Sequence, residues 1–334
     1  MPHSHIHQLM AHPERRPEHH DGRSRLLVAV GGNAIHPGRG PGTVEEQREY
    51  AARTGRALLP VMRADNELVI THGNGPVVGK ILMRQVLSRH RVPPMSMDVC
   101  VAHSQGGIAY LLMQSLENTL REAGNDRHVV CLLTQVEVDP DDPAFANPTK
   151  PIGFFYEEAE AEVIAESLGW TMRDDAGRGW RCVVPSPRPR HIVDISLIEA
   201  VAKSGAVVIA GGGGGIPVIR DANGVRRGVE GVIDKDLSSA HMAHVLGIGE
   251  FMILTAVEKV QIGFGTPRAR SLGEVRVDEL RGHFEAGEFA EGSMGPKVEA
   301  AIRFLDGGGR RAVIAHLDAA EAALAGEAGT QILP

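Results

Sequence analysis

Short, wholly apolar runs recur along this sequence and limit the folds open to it. Leu26-Leu27-Val28-Ala29-Val30 ends at Gly31-Gly32, and Leu68-Val69-Ile70 runs into Thr71-His72-Gly73-Asn74-Gly75. Further runs lie at 129–133, 206–210, 251–254 and 312–315. A strand with one wet face alternates polar and apolar residues, whereas a run apolar throughout is buried on both faces, as in a parallel sheet. Helical patterns lie between the runs. Thr43 and Glu46 form a capping box, and Tyr50, Leu58, Leu59 and Met62 follow at roughly helical spacing. From Lys297 to Leu305, Val298, Ala301, Ile302 and Leu305 share one face, with Pro296 in the first turn and Gly307-Gly308-Gly309 at the end. Strands alternating with helices in this way predict a doubly wound α/β sheet, with ligands at the carboxyl ends of its strands.

The totals exclude several classes. The 334 residues are 43% hydrophobic and 23% charged, enough to bury a large core without disulfide or metal staples. A net charge of −7 gives no bulk attraction to nucleic acid or to an anionic membrane, so any anion site must be local. No apolar run approaches the ~20 residues of a transmembrane helix. Cys100, Cys131 and Cys182 form an odd set without a C-x-x-C pair, which fits a reduced, cytoplasmic setting. Residues 1–24 carry six of the sixteen histidines and no apolar signal core. They read as a disordered His-rich extension, and residues 25–334 as a single domain.

One stretch interrupts the α/β pattern. From about Glu137 to Pro189 the chain is rich in proline, acids and arginine, and its one clear helical pattern runs from Tyr156 to Leu168. An excursion of this kind reads as a protruding subdomain or lid.

Three lysines stand in unusual surroundings. Lys150 lies in Pro148-Thr149-Lys150-Pro151-Ile152-Gly153, Lys235 between Asp234 and Asp236, and Lys297 after Gly292-Ser293-Met294-Gly295-Pro296. An acid-lysine-acid triplet is commonly a solvated cluster, but here Val232-Ile233 and Ser238-Ser239-Ala240 hold it against the body. A lysine at a helix start opposes the helix dipole, which a bound anion would explain. Gly31-Gly32-Asn33 and Gly73-Asn74-Gly75 repeat one arrangement at two strand ends and would turn backbone N–H groups into the crevice. The five glycines 211–215 follow another strand, but Ile216-Pro217 breaks both the G-x-G-x-x-G fingerprint and the helix it requires, and no P-loop is present. Thr255-Ala256-Val257-Glu258-Lys259-Val260 could border an adenine or pack the core. Dispersed cations and glycine turns suit phosphoryl transfer, whose catalysis is mostly positioning and charge neutralisation. No protein-built metal site is signalled, so Mg²⁺ would ride on phosphates.

In combination these segments resemble the carbamate kinases, a branch of the amino-acid kinase family. The resemblance spans about residues 26–332, and Thr149 to Gly153, Val232 to Asp236 and Gly292 to Lys297 carry it most specifically. It implies a three-layer α/β/α sandwich with a mainly parallel sheet and a lid, usually as a homodimer. It implies reversible transfer between Mg²⁺-bound ATP or ADP and carbamate or carbamoyl phosphate, commonly toward ATP in arginine catabolism. By similarity, Gly31, Gly32 and Asn33 contact the transferred phosphoryl group, Gly73, Asn74 and Gly75 the carbamoyl side, and Gly213 and Gly214 complete the floor. Lys150 descends onto carbamoyl phosphate, Lys235 stabilises the moving group, Asp236 orients the lysines and Lys297 holds the nucleotide phosphates. Asp234, Thr255, Val257, Val260, Ser293 and Met294 join Lys235 and Lys297 on the nucleotide side. Val77 stands where the family often has Gln, and Ala256 where it often has Asp. The alternatives are a kinase for another small acid on the same fold, or a silent sensor of nucleotide or carbamoyl phosphate.

Overall fold

The computed structural model describes residues 23–36, 41–175, 177–290 and 292–334. The His-rich extension, except for its last two residues, lies outside them. In chain order, β1 (Ser24–Val30), α1 (Val44–Arg63), β2 (Asn66–His72), α2 (Gly75–Ser88), α3 (Met97–Glu122) and β3 (Val129–Cys131) come first. Next are β4 (Gln135–Val138), β5 (Lys150–Tyr156), α4 (Glu158–Leu168), β6 (Met172–Asp174), β7 (Trp180–Val184) and β8 (Pro189–Ile192). Then follow α5 (Ile195–Lys203), β9 (Val207–Ile209), β10 (Ile216–Arg220), β11 (Arg226–Gly228), α6 (Lys235–Val245) and β12 (Glu250–Thr255). The chain closes with β13 (Gln261–Ile262), β14 (Arg270–Ser271), β15 (Glu274–Arg276), α7 (Val277–Glu285), α8 (Gly295–Asp306), β16 (Arg311–His316), α9 (Ala320–Leu324) and β17 (Thr330–Leu333).

Eight strands form the main sheet in the order β15-β17-β16-β12-β1-β2-β9-β3. Its pairings are parallel except β16 with β17. Each apolar run of the sequence supplies one of these strands, and alternation within it serves two cores. Leu27 and Ala29 face one core with Ile198, Ala243, Val298 and Phe304, while Leu26, Val28 and Val30 face another with Leu58, Met62, Leu112 and Leu116. Helices α5, α6 and α8 therefore cover one face and α1 and α3 the other. This is a three-layer α/β/α arrangement, as expected.

Local signals hold where they were strong. Thr43 and Glu46 make both capping-box bonds at the start of α1, at 3.2 and 2.7 Å. Pro296 sits in the first turn of α8 and Gly307 caps its end. The proline-rich excursion is divided. Its middle forms a separate antiparallel sheet, β5-β7-β6, with α4 beside it, while β4 and β8 at its ends join β10 and β11 in a four-stranded sheet. No helix among the described residues is long and apolar enough to cross a membrane.

Candidate active site

The parallel strands point their carboxyl ends the same way, and the turns after β1, β2, β9 and β12 meet there. The glycines of the β9 turn are needed because a neighbouring side chain and backbone crowd them. A Cβ on Gly213 would lie 2.2 Å from Nδ2 of Asn74, and one on Gly214 would lie 2.4 Å from the carbonyl of Ile233. Both glycines also have positive φ. This floor thus touches the β2 turn on one side and the segment entering α6 on the other.

Asn74 is buried, and its side chain donates to Ser104 Oγ at 2.9 Å instead of capping α2. In the first turn of α2, Pro76 has no N–H and the amides of Val77 and Val78 donate to the Asn74 carbonyl at 2.9 Å, which leaves the Gly75 amide to meet an anion. Gly32 and Asn33 lie in a single 3-10 turn after β1. Gly31 departs from the expectation. Its amide donates to Leu254 on the neighbouring strand at 3.0 Å, extending the β ladder instead of opening onto the crevice. The amide of Gly73 likewise goes to Val30, at 3.0 Å.

The charged centre assembles at the start of α6. Asp234 is its N-cap, accepting from the amides of Asp236 at 2.9 Å and Leu237 at 3.2 Å. Its other oxygen pairs with Lys150, 84 residues away at the start of β5. Asp236, 3% exposed, pairs with Lys235 through one oxygen and with Lys297 at 3.2 Å through the other. Lys297 also donates to the Ser293 carbonyl at 3.4 Å. The three predicted lysines and both acids therefore form one cluster, drawn from β5, α6 and α8.

The field within it is strong. Burial would raise the Asp236 carboxyl, but Lys235 and Lys297 outweigh burial and hold it well below the carboxylate range. Asp234 is held low in the same way, burial being outweighed mainly by Lys150. Burial pushes the Lys235 ammonium below the usual lysine value, despite Asp236. For Lys297 burial acts in the same direction but is more than offset by Asp236 and Asp234, leaving it above the usual value. Asp236 is thus a shared counter-charge for two cations at two helix starts, where the macrodipole disfavours them.

A buried polar scaffold that the sequence reading missed supports these groups. Ser239 Oγ donates to the Lys235 carbonyl at 2.6 Å and meets Thr71 Oγ1 at 2.7 Å, tying α6 to β2. Gln105 donates to the carbonyls of Gly212 and Thr134, and Thr134 Oγ1 accepts from the Gly211 amide at 2.9 Å. Polar residues at positions 104 and 105, inside an otherwise apolar helical face, were the available signal.

His72 is buried beside this scaffold. Burial chiefly, with a smaller push from Lys235, takes its pKa down to about 4 from 6.5. The unfolded chain therefore binds the extra proton between those values. Stability is unaffected above about pH 6.5 and falls as the pH drops toward 4. This one group should lower unfolding free energy by about 2 kcal/mol between pH 7 and pH 5. Urea unfolding of His72→Asn, which retains a donor for the Gly73 carbonyl, should lose that part of the slope. An unchanged slope would place the acid sensitivity elsewhere.

On the nucleotide side, Thr255 ends β12 half-buried, Val257 is exposed, Ser293 is exposed and Met294 is half-buried against the core. Val260 corrects its expectation. Its side chain is fully buried in the core, its amide donates to Thr330 and its carbonyl accepts from Leu272. It packs the body and offers no group to a nucleotide.

A model of the amino acid kinase family matches residues 24–316. The chain belongs to that family. Carbamate kinases of Pyrococcus furiosus and Thermococcus kodakarensis are 46% and 48% identical to it over 312 residues. Those matches cover 93% and 92% of this chain and 99% of each relative. Among solved structures, carbamate kinase from Giardia lamblia bound to AMP-PNP is 40% identical with a TM-score of 0.84, covering 93% of this chain and 99% of that one. An N-acetylglutamate synthase from Neisseria gonorrhoeae, at 13% identity and a TM-score of 0.55, shares the fold alone.

Proposed function

We propose that this chain is a carbamate kinase, moving a phosphoryl group reversibly between ATP and carbamate. The observation that carries the reading is the convergence of Lys150, Lys235 and Lys297 on Asp234 and Asp236 beside the glycine floor. The family relationship and the carbamate kinases similar over nearly the whole chain support it.

Carbamate is already an anionic nucleophile, so no general base is required. The barrier is repulsion between its oxygen and the γ-phosphoryl group. Transfer forms one carbamate O–P bond and breaks the P–O bond to the β-phosphate. Lys297, at the start of α8, holds the nucleotide phosphates. Lys235, compact and desolvated, faces the phosphoryl group as charge spreads over its oxygens. Asp236 keeps both lysines aimed by pairing with both at once. The α2 turn at Asn74 and Gly75 and the turn at Gly32 and Asn33 bind the acceptor and phosphoryl oxygens. The β5-β7-β6 sheet acts as a lid, bringing Lys150 onto the carbamoyl group.

Mg²⁺ fits this reading as a companion of the nucleotide. The carboxylates of the cluster are committed to lysines, and no group of three His, Cys, Asp or Glu side chains among the described residues could hold a metal ion. Phosphate oxygens would therefore hold it, and it would neutralise their charge.

The finer parts of the proposal are a cytoplasmic homodimer that makes ATP from carbamoyl phosphate in arginine catabolism. The free thiols Cys100, Cys131 and Cys182 support a reduced compartment. Val99 and Tyr110 on α3 and Leu133 after the edge strand β3 are exposed apolar residues that suit a second copy.

The lid assignment makes an asymmetric prediction. Lys150→Ala should raise the KM for carbamoyl phosphate by roughly tenfold or more while the Kd for ADP stays within about twofold. Steady-state kinetics with calorimetric ADP titration measure both. Equal losses on the two sides would remove Lys150 from the carbamoyl site.

A further inference from the structure

Helix α2 presents its start to the substrate side and, one turn later, meets the lid. A Cβ on Gly79 would lie 2.0 Å from Gly153 Cα and 2.3 Å from its nitrogen, so two backbones touch where any side chain would collide. Gly153 has a φ of +73° and its carbonyl accepts from Arg181 at 3.2 Å. Arg181 is itself held by Asp175 at 3.0 Å. The lid strand is thus fixed from its own side and seated on α2 from the other. The next residue on each element repeats the contact: the Lys80 ammonium stands 5.9 Å from the Phe154 ring centroid. Lys80 also donates to the carbonyls of Pro41 and, at 3.4 Å, Gly42. One helix therefore meets the lid strand and the chain that follows the β1 turn.

We infer that Gly79, Gly153 and Lys80 form a seat that sets how far the lid descends, and so position Lys150 against the carbamoyl group. Lys150 and Gly153 lie on the same strand, about 10 Å apart at strand rise. Strand β5 is paired with β7 at Lys150, Pro151 and Ile152 and its register shifts between Ile152 and Tyr156, so Gly153 directly follows the paired segment that carries Lys150. A methyl group on Gly79 must lift that strand, because its neighbour is backbone and cannot rotate away. These are positioning residues acting through Lys150. The inference deepens the proposed function and rests on its reading of Lys150.

The test is steady-state kinetics of full-length Gly79→Ala and Lys80→Met, alone and combined with Lys150→Ala. Gly79→Ala should lose roughly 10- to 100-fold in kcat/KM for carbamoyl phosphate, the scale of an ångström-sized misplacement. Its ADP affinity should stay within about twofold, and the loss should nearly vanish in the Lys150→Ala background. Lys80→Met should shift the same parameter in the same direction by a smaller factor, and decides the matter if Gly79→Ala does not fold. A general packing defect would lower ADP and carbamoyl phosphate parameters together and add to Lys150→Ala, and that pattern overturns the seat. Active wild-type protein with unaffected variants also overturns it, whereas wild-type protein inert toward carbamoyl phosphate overturns the functional reading beneath it.

Discussion

Lys235→Ala should lower turnover by roughly 10²-fold or more, with ADP affinity changed far less. The effect follows from where the charge sits. Lys235 is 8% exposed and lies between the glycine floor and α6, where low dielectric strengthens its pull on a phosphoryl oxygen. Its backbone is fixed separately, by Ser239 on its carbonyl and by Asp234 capping the helix. Removing the ammonium therefore deletes a charge without dismantling the helix start. Asp236 keeps Lys297 as a partner, so the variant should stay folded. Lys235→Arg should not restore full activity, because a planar guanidinium does not occupy the place of a compact ammonium. Turnover within threefold of wild type for Lys235→Ala would remove Lys235 from the transfer step.

Asp236→Asn should have the largest effect on stability, about 3–5 kcal/mol, together with near-complete loss of turnover. The amide is isosteric, so packing is preserved while the shared counter-charge disappears. Two lysines would then face each other in a buried space, without the Asp236 attraction that now more than offsets burial at Lys297 and opposes it at Lys235. Both would have folded-state pKa values below their unfolded ones, so the unfolded chain would bind more protons. The stability deficit should accordingly shrink as the pH is raised from 7 toward 9.5. Urea unfolding at several pH values measures this. A deficit below about 1 kcal/mol, or one that grows with pH, would mean that Asp236 does not balance both cations.

The sheet was legible because burial on both faces writes itself into composition. Leu26 to Val30 cannot face water on either side, and the same holds for the runs in β2, β9, β12 and β16. The site was legible where charge or glycine stood out locally, as in Asp234-Lys235-Asp236 and the 211–215 run. What escaped depended on partners distant in sequence. Gly31 looked like an open turn, but its amide completes a ladder with Leu254. Val260 followed a strand end and could border a ligand or pack the core; contacts from Thr330 and Leu272 decide for the core. The pairing of Lys150 with Asp234 and the contact of Gly79 with Gly153 bring together residues far apart in the chain, and no local pattern encodes either. The scaffold of Thr71, Ser104, Gln105, Thr134 and Ser239 was hidden for another reason: single polar residues in apolar surroundings look alike whether they serve a site or a core.

In the proposed function, one cluster of three lysines and two aspartates transfers phosphoryl groups to and from carbamate. The most direct test is ATP formation by the purified protein from Mg-ADP and carbamoyl phosphate, followed with a coupled assay beside the Lys235→Ala variant. Wild-type protein should form ATP with saturable dependence on both substrates, and the variant should be slower by roughly two orders of magnitude. No ATP above background from wild-type protein, while acetylglutamate or aspartate accepts phosphate from ATP, would overturn the proposed function and assign this site to another small acid.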